Sequence, residues 1–209
     1  MIKYFEQLLK TIDGSVHSLD ADAFERLTAE ALETLRRGGK LVASGLGKNV
    51  PVCEKFVGTM NSLGQEAYYM NTNSAVHGDI GIVKEGDLVI VLTKSGETAE
   101  SVYLTDLLLK RKANVWLLTF TKSSSIERMV GTDKCIILSL DHEGDKWNIV
   151  PNNSTTVNLI VLQGLAMTIA DRLGISQRTV ETHKGNIFRK LGINTTLELV
   201  RLMGRRGGR

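Results

Sequence analysis

Apolar positions along this chain follow two alternating periods. Over residues 2–12 and 19–37, Leu, Ile, Phe and Ala recur three and four residues apart with Lys and Glu between them, the spacing of amphipathic helices. Gly38-Gly39 ends the second. KLVASGLG (40–47) is a continuous apolar run entering a glycine turn and reads as a buried strand. EAYYMN (66–71), DLVIVLT (87–93), NVWLLTF (114–120) and KCIILSL (134–140) read the same way. Helical spacing returns at 51–62, at 98–112, in the serine-capped SSSIERMV (123–130) and at 154–173.

Strands alternating with helices call for right-handed crossovers, and hence a parallel sheet covered on both faces. The expected fold class is α/β, a five-stranded parallel doubly wound sheet with a C-terminal helical tail. Ligands of such sheets bind outside the carboxyl ends of the strands, where the strand order reverses. That marks SGLGKN (44–49), SAVHGD (74–79) and TKSGET (93–98) as candidate site loops. The expected division is a main domain over 1–173 and a tail over 174–209.

Composition narrows the class. Of the 209 residues, 42% are apolar and 23% charged, the balance of a globular protein. The longest apolar runs fall well short of a membrane span, and MIKYFEQLLK lacks a signal-peptide core. Cys53 and Cys135 have no metal-ligand spacing. A reduced, cytoplasmic setting without membrane, metal or cofactor is expected. The net charge of +3 is uneven: the tail from Gly174 carries eight Lys/Arg against two acids, +6, leaving the body at −3. Such a tail suits nucleic acid or is a solvated end.

The stretch VIVLTKSGETAE (89–100) ends a buried strand in hydroxyls around a glycine. A glycine turn before a helix offers free N–H groups to a phosphate, with Ser95 and Thr98 as neutral donors and Gly96 allowing close approach. The same two hydroxyls can simply cap the helix. Thr93 to Glu100 resembles the phosphate loop of the sugar isomerase (SIS) domain family. His77-Gly78-Asp79-Ile80-Gly81 resembles its HGDLG element, Pro151-Asn152-Asn153-Ser154-Thr155-Thr156 its PTTSTT helix start, and Gly45-Leu46-Gly47-Lys48 the GMGK turn of its arabinose 5-phosphate isomerase branch. The four stand in the family's order across residues 1–173.

The resemblance implies a flavodoxin-like SIS fold and an aldose–ketose isomerase acting on a phosphorylated sugar through an enediol, without cofactor, as a homodimer or homotetramer. It implies phosphate ligands at Ser44, Asn49, Thr93, Ser95, Gly96, Thr98, Ser154, Thr155 and Thr156. It places Lys48, His77 and Glu100 at the reacting end. Glu100 is the first candidate for the base and His77 its rival, with Lys48 stabilising negative charge. Two positions depart from the family: Asn49 stands where a phosphate hydroxyl is usual, and Ser74 where the arabinose branch has a glutamate. Asp79 reads as a turn residue, and His17, His142, Glu143 and Asp145 as surface.

The tail carries two resemblances. His183-Lys184-Gly185-Asn186-Ile187 stands where the family has HPGG-x-I, which would give His183 to a neighbouring subunit's site. IADRLGISQRTVETHKGNIFRKLGINTTLELVRL (169–202) resembles the helix-turn-helix of LuxR-type regulators, with a turn at Gly174-Ile175-Ser176. Val180, Ile187 and Leu191 are expected on the buried stripe of its second helix, and Asn194 as cap of a last helix holding Leu197, Val200 and Leu202. DNA is then a possible partner, and a sugar-phosphate-sensing transcriptional regulator without catalysis the alternative function.

Overall fold

The long apolar runs become strands because both of their faces are covered. In the computed structural model, β1 (Leu41–Gly45) and β3 (Leu88–Leu92) are buried at every position. The structure describes residues 2–193, 195, 197 and 198, with the backbone alone at 177–179, 183, 184 and 187. With β2 (Ala67–Asn71), β4 (Asn114–Thr119) and β5 (Cys135–Ile137) these strands form one sheet in the order β2-β1-β3-β4-β5. All four pairings are parallel, as the sequence led us to expect.

Alternation along each strand sends side chains to two cores. Leu41, Ala43, Leu88, Ile90, Leu92 and Trp116 face α1 (Ile2–His17), α2 (Ala21–Arg36), α3 (Asn49–Ser62) and α7 (Asn153–Arg172), whose Leu27, Phe56, Met60 and Leu165 fill that side. Val42, Val89, Val91 and Leu117 face α5 (Ala99–Lys110) and α6 (Ser125–Val130), which contribute Leu104, Leu108 and Ile126. At the amino end of the sheet, buried Asp87 accepts from Lys40 Nζ at 2.6 Å and from the Lys84 amide at 2.7 Å, tying the starts of β1 and β3. No helix among the described residues is long and apolar enough to cross a membrane.

Two elements differ from the pattern-based expectation. A short helix, α4 (Thr72–Ala75), follows β2 directly, nucleated by the Asn71 side chain accepting from the Asn73 and Ser74 amides. The expected strand over 134–140 shortens to Cys135–Ile137, the reach of its pairing with β4.

The last helix of the main core runs straight into the tail. α7 ends at a turn where Gly174 has φ +65° and the Ile175 amide donates to the Ala170 carbonyl at 2.9 Å. α8 (Gln177–Leu191) follows and packs on α3, with Ile175 and Val180 half-buried against the larger core. Leu191, expected on the buried stripe, is 40% exposed. Beyond α8, Thr195 pairs with Glu198. Its hydroxyl accepts from the Glu198 amide at 3.2 Å while Glu198 Oε2 accepts from the Thr195 amide at 3.3 Å, a reciprocal capping box. Leu197 is exposed, and Asn194, Val200 and Leu202 lie outside the described residues.

Phe56 is fully buried between α3 and the sheet. Phe56→Ala is expected to cost about 3–5 kcal/mol in unfolding free energy, read from urea denaturation at unchanged m-value.

Candidate functional site

Gly45 pairs in register with both Asn71 and Leu92, so the loops after β1, β2 and β3 leave the sheet at one level. The order reverses between β1 and β3, and the crevice there is where ligands of this architecture bind. Its floor is tightly built. A side chain at Gly45 would place its Cβ 2.8 Å from that of Asn49, so α3 must start directly over the end of β1. Asn49 Nδ2 donates to the Leu92 carbonyl at 3.5 Å, and its Oδ1 accepts from Asn158 on α7 at 3.0 Å. The residue expected as a phosphate donor thus joins β3, α3 and α7. Ser44 is fully buried, with its hydroxyl 3.0 Å from that of Thr72.

The loop after β3 has the form of an anion cradle. Gly96 has φ +68°, and a Cβ there would lie 2.3 Å from Ser124 Oγ, so only glycine fits. Its amide donates to Thr93 Oγ1 at 3.3 Å, and the hydroxyls of Thr93 and Thr98 are 3.4 Å apart. Ser95 Oγ accepts from the Glu97 amide at 3.2 Å. Thr98 sits at the N-cap position of α5, yet its side chain makes no capping bond. The first-turn amides of α5 therefore keep their partial positive charge for another acceptor. Glu97 turns aside, its Oε1 accepting from the Ser125 amide at 2.7 Å.

Sequence reasoning missed Glu143. Read as a surface residue, its side chain is 0% exposed and sits at the start of α7. Its carboxylate accepts from the Asn152 and Ser154 amides, both at 3.0 Å, and from Ser154 Oγ at 2.7 Å. Lys94 Nζ, from the β3 loop, lies 2.6 Å away. Burial pushes the Glu143 carboxyl up, but Lys94 and the donors of Ser154 and Asn152 outweigh it and hold the group below the usual glutamate range. The available signal was the middle acid of Asp141-His142-Glu143-Gly144-Asp145, eight residues before the Pro151 motif, in a loop with no helical or strand period. Its depth is set by tertiary packing, with Leu8 of α1 seated where a Cβ on Gly144 would be.

The remaining expected residues stand around this frame. Thr155 and Thr156 hydroxyls both donate to the Asn152 carbonyl, at 2.8 and 3.0 Å, leaving their lone pairs outward. Lys48 and His77 are exposed on their loops and Glu100 in the first turn of α5, and their side chains make no hydrogen bond among the described residues. The backbone next to His77 is fixed by Gly78 at φ +136° and by Ser74 Oγ donating to Asp79 at 2.5 Å, which gives Asp79 the turn role expected of it. His183 falls within α8, and its side chain lies outside the described residues. A groove lined by Glu30, Lys40, Asp87 and Lys112 lies at the opposite end of the sheet. Its charges are largely spent on one another, as in Lys40–Asp87 and Glu30–Lys134, and it holds none of the loops above.

A carboxyl with a depressed folded pKa contributes stability above its unfolded pKa and loses it as pH falls through the folded one. Wild type should therefore lose more melting temperature than Glu143→Gln between pH about 5 and about 3. Equal losses in the two proteins would contradict this placement of Glu143.

Comparison with known proteins bears on the same residues. The SIS domain model matches residues 34–167, and the model for bacterial regulatory proteins of the luxR family matches residues 160–203. Arabinose 5-phosphate isomerase KdsD of Pseudomonas aeruginosa is 30% identical over 166 residues, covering 76% of this chain and 50% of KdsD. The chain spans about half the length of the curated relatives it matches. An Escherichia coli CFT073 protein solved in complex with arabinose 5-phosphate superposes with a TM-score of 0.77 at 26% identity, over 88% of this chain and 95% of that one. Vibrio vulnificus NanR complexed with ManNAc-6P shares the fold, with a TM-score of 0.71 at 15% identity over 90% of this chain and 68% of that one. The SIS match takes in all five strands, the glycine turn of β1, the β3 loop and Glu143, and so the chain belongs to the SIS domain family.

Proposed function

We propose that the chain is a sugar-phosphate aldose–ketose isomerase of the arabinose 5-phosphate type. The observation that carries this reading is the open amino terminus of α5 above a glycine that admits no side chain. Such a cradle suits a phosphate dianion. The KdsD relative and the E. coli complex with arabinose 5-phosphate supply the sugar class.

In this reading the amides around Gly96 and the hydroxyls of Ser95 and Thr98 take the phosphate, with Thr155 and Thr156 at the rim. Thr93 shapes the loop, while Ser44 and Asn49 hold the elements beneath it. The base removes the proton from the carbon beside the aldehyde, the electron pair moves into an enediolate, and the proton returns to the former carbonyl carbon. One carbon is oxidised and its neighbour reduced, so the step is balanced without a redox partner. Glu100 is the assigned base and His77 its rival, the other serving ring opening. Lys48 meets the charge developing on the enediolate oxygens. His183 comes from a neighbouring subunit of a homodimer or homotetramer. Glu143 positions Lys94 and the start of α7 around the phosphate.

Glu100→Gln and His77→Ala are each expected to lower kcat on arabinose 5-phosphate by about 100-fold or more while leaving its thermal shift in place. Ser95→Ala should instead weaken the shift. Full activity in both of the first two variants would remove this assignment. Absence of turnover on every pentose and hexose phosphate would remove the isomerase reading.

The luxR-family match supports a second reading, a sugar-phosphate-sensing regulator that binds duplex DNA through α8. Glu181, Thr182, Gly185, Asn186, Arg189 and Lys190 are exposed and recur at helical spacing along one side of α8. Under this reading duplex affinity falls steeply with salt, and Arg189→Glu with Lys190→Glu flattens that dependence. A salt-independent or undetectable affinity rejects it.

A further inference from the structure

The cradle at the start of α5 offers amides and neutral hydroxyls, while a phosphate monoester carries a charge of about −1.5 to −2 at neutral pH. The three loops of the crevice hold two lysines, Lys48 after β1 and Lys94 after β3. Lys48 is assigned to the enediolate oxygens. Lys94 is paired with Glu143, and that pairing does not exhaust its donors.

Both ends of the Lys94 residue are fixed. Its carbonyl accepts from the Thr119 and Thr121 hydroxyls at 3.0 and 3.1 Å and from the Phe120 amide at 3.1 Å, so the end of β4 holds its backbone. Its ammonium is held by Glu143 Oε1 at 2.6 Å, an oxygen that also accepts from Ser154 Oγ. The side chain thus reaches from the β3 loop to the first turn of α7. An ammonium has three protons, and Glu143 is its one ion-pair partner among the described residues. Lys94 remains 47% exposed although Glu143 is fully buried, so the protons that meet solvent are those turned away from the carboxylate.

The two helix termini at the crevice differ in a way that gives this cation a task. At α7 an anion is built in, because the Glu143 carboxylate takes the Asn152 and Ser154 amides and its carbonyl takes the Asn153 amide. At α5 the terminus is open. A phosphate at α5 brings a second anion into a crevice that already holds one. Two like charges at close range disfavour each other's ionisation, and a cation between them offsets that. Asn49 adds nothing to the phosphate, since its side chain is bonded to Leu92 and Asn158.

We propose that the Lys94 ammonium bridges Glu143 and the phosphate of the bound sugar, and so makes the site specific for a phosphate dianion. The inference rests on the phosphate cradle of the isomerase reading and deepens it by naming the group that supplies the countercharge.

The test is isothermal titration calorimetry of the full chain with arabinose 5-phosphate and with inorganic phosphate. Lys94→Gln is expected to raise the arabinose 5-phosphate Kd by about tenfold or more, the scale of a lost charge-assisted hydrogen bond, and to flatten its dependence on salt. The same substitution is then made in a Glu143→Gln background, where no buried charge is left for Lys94 to hold. There it should still weaken binding by about fivefold or more. An effect that vanishes in that background overturns the bridge, because Lys94 then acts only by holding Glu143. A wild-type Kd in Lys94→Gln overturns it as well. If neither ligand binds the wild-type chain, the phosphate cradle and the inference fall together. Binding that weakens as stated, in a chain that turns over no sugar phosphate, upholds the bridge and removes only the isomerase reading.

Discussion

The contact on which the rest of this molecule depends is the buried Glu143 carboxylate at the start of α7. It joins the β3 loop, through Lys94, to the helix that closes the larger core. A carboxylate in this position is stable only because its donors are fixed: two backbone amides, a hydroxyl and an ammonium. Removing one donor leaves a charge that water cannot reach. The cluster therefore sets the distance between the phosphate-type loop and α7 more firmly than apolar packing alone would.

Around it, the sheet delivers three loops at one level and the helices deliver two amino termini. The division of labour among the hydroxyls follows burial. Those deep in the floor, Ser44 and Ser154, are already bonded to protein partners. Those nearer the mouth, Ser95, Thr155 and Thr156, retain capacity to accept or donate. Lys48, His77 and Glu100 stand further out, each on a backbone held from beneath. These three side chains are thus exposed while the β3 loop beneath them is preformed.

The fold was legible because its strands are unbroken apolar runs and its helices have a clear period. DLVIVLT could only be a strand covered on both faces, and Gly38-Gly39 could only end a helix. The β3 loop was legible for the same local reason, since Gly96 between hydroxyls has meaning whatever surrounds it. Glu143 was not legible, because its burial depends on α1 and Lys94, which lie far from it in sequence. Asn49 is a milder case. Its place in the turn was visible, but its engagement with Asn158 across the α3–α7 seam was not.

The most direct measurement of the central claim is proton NMR of arabinose 5-phosphate incubated with the protein in D2O. An enediol mechanism places solvent deuterium on the carbon from or to which the proton moves, whether or not the sugar goes on to product. The account predicts deuterium incorporation together with appearance of the ketose phosphate, both slowed by about 100-fold or more in Glu100→Gln. Ligand binding without any deuterium exchange would contradict it and leave a crevice that senses the sugar phosphate without transforming it.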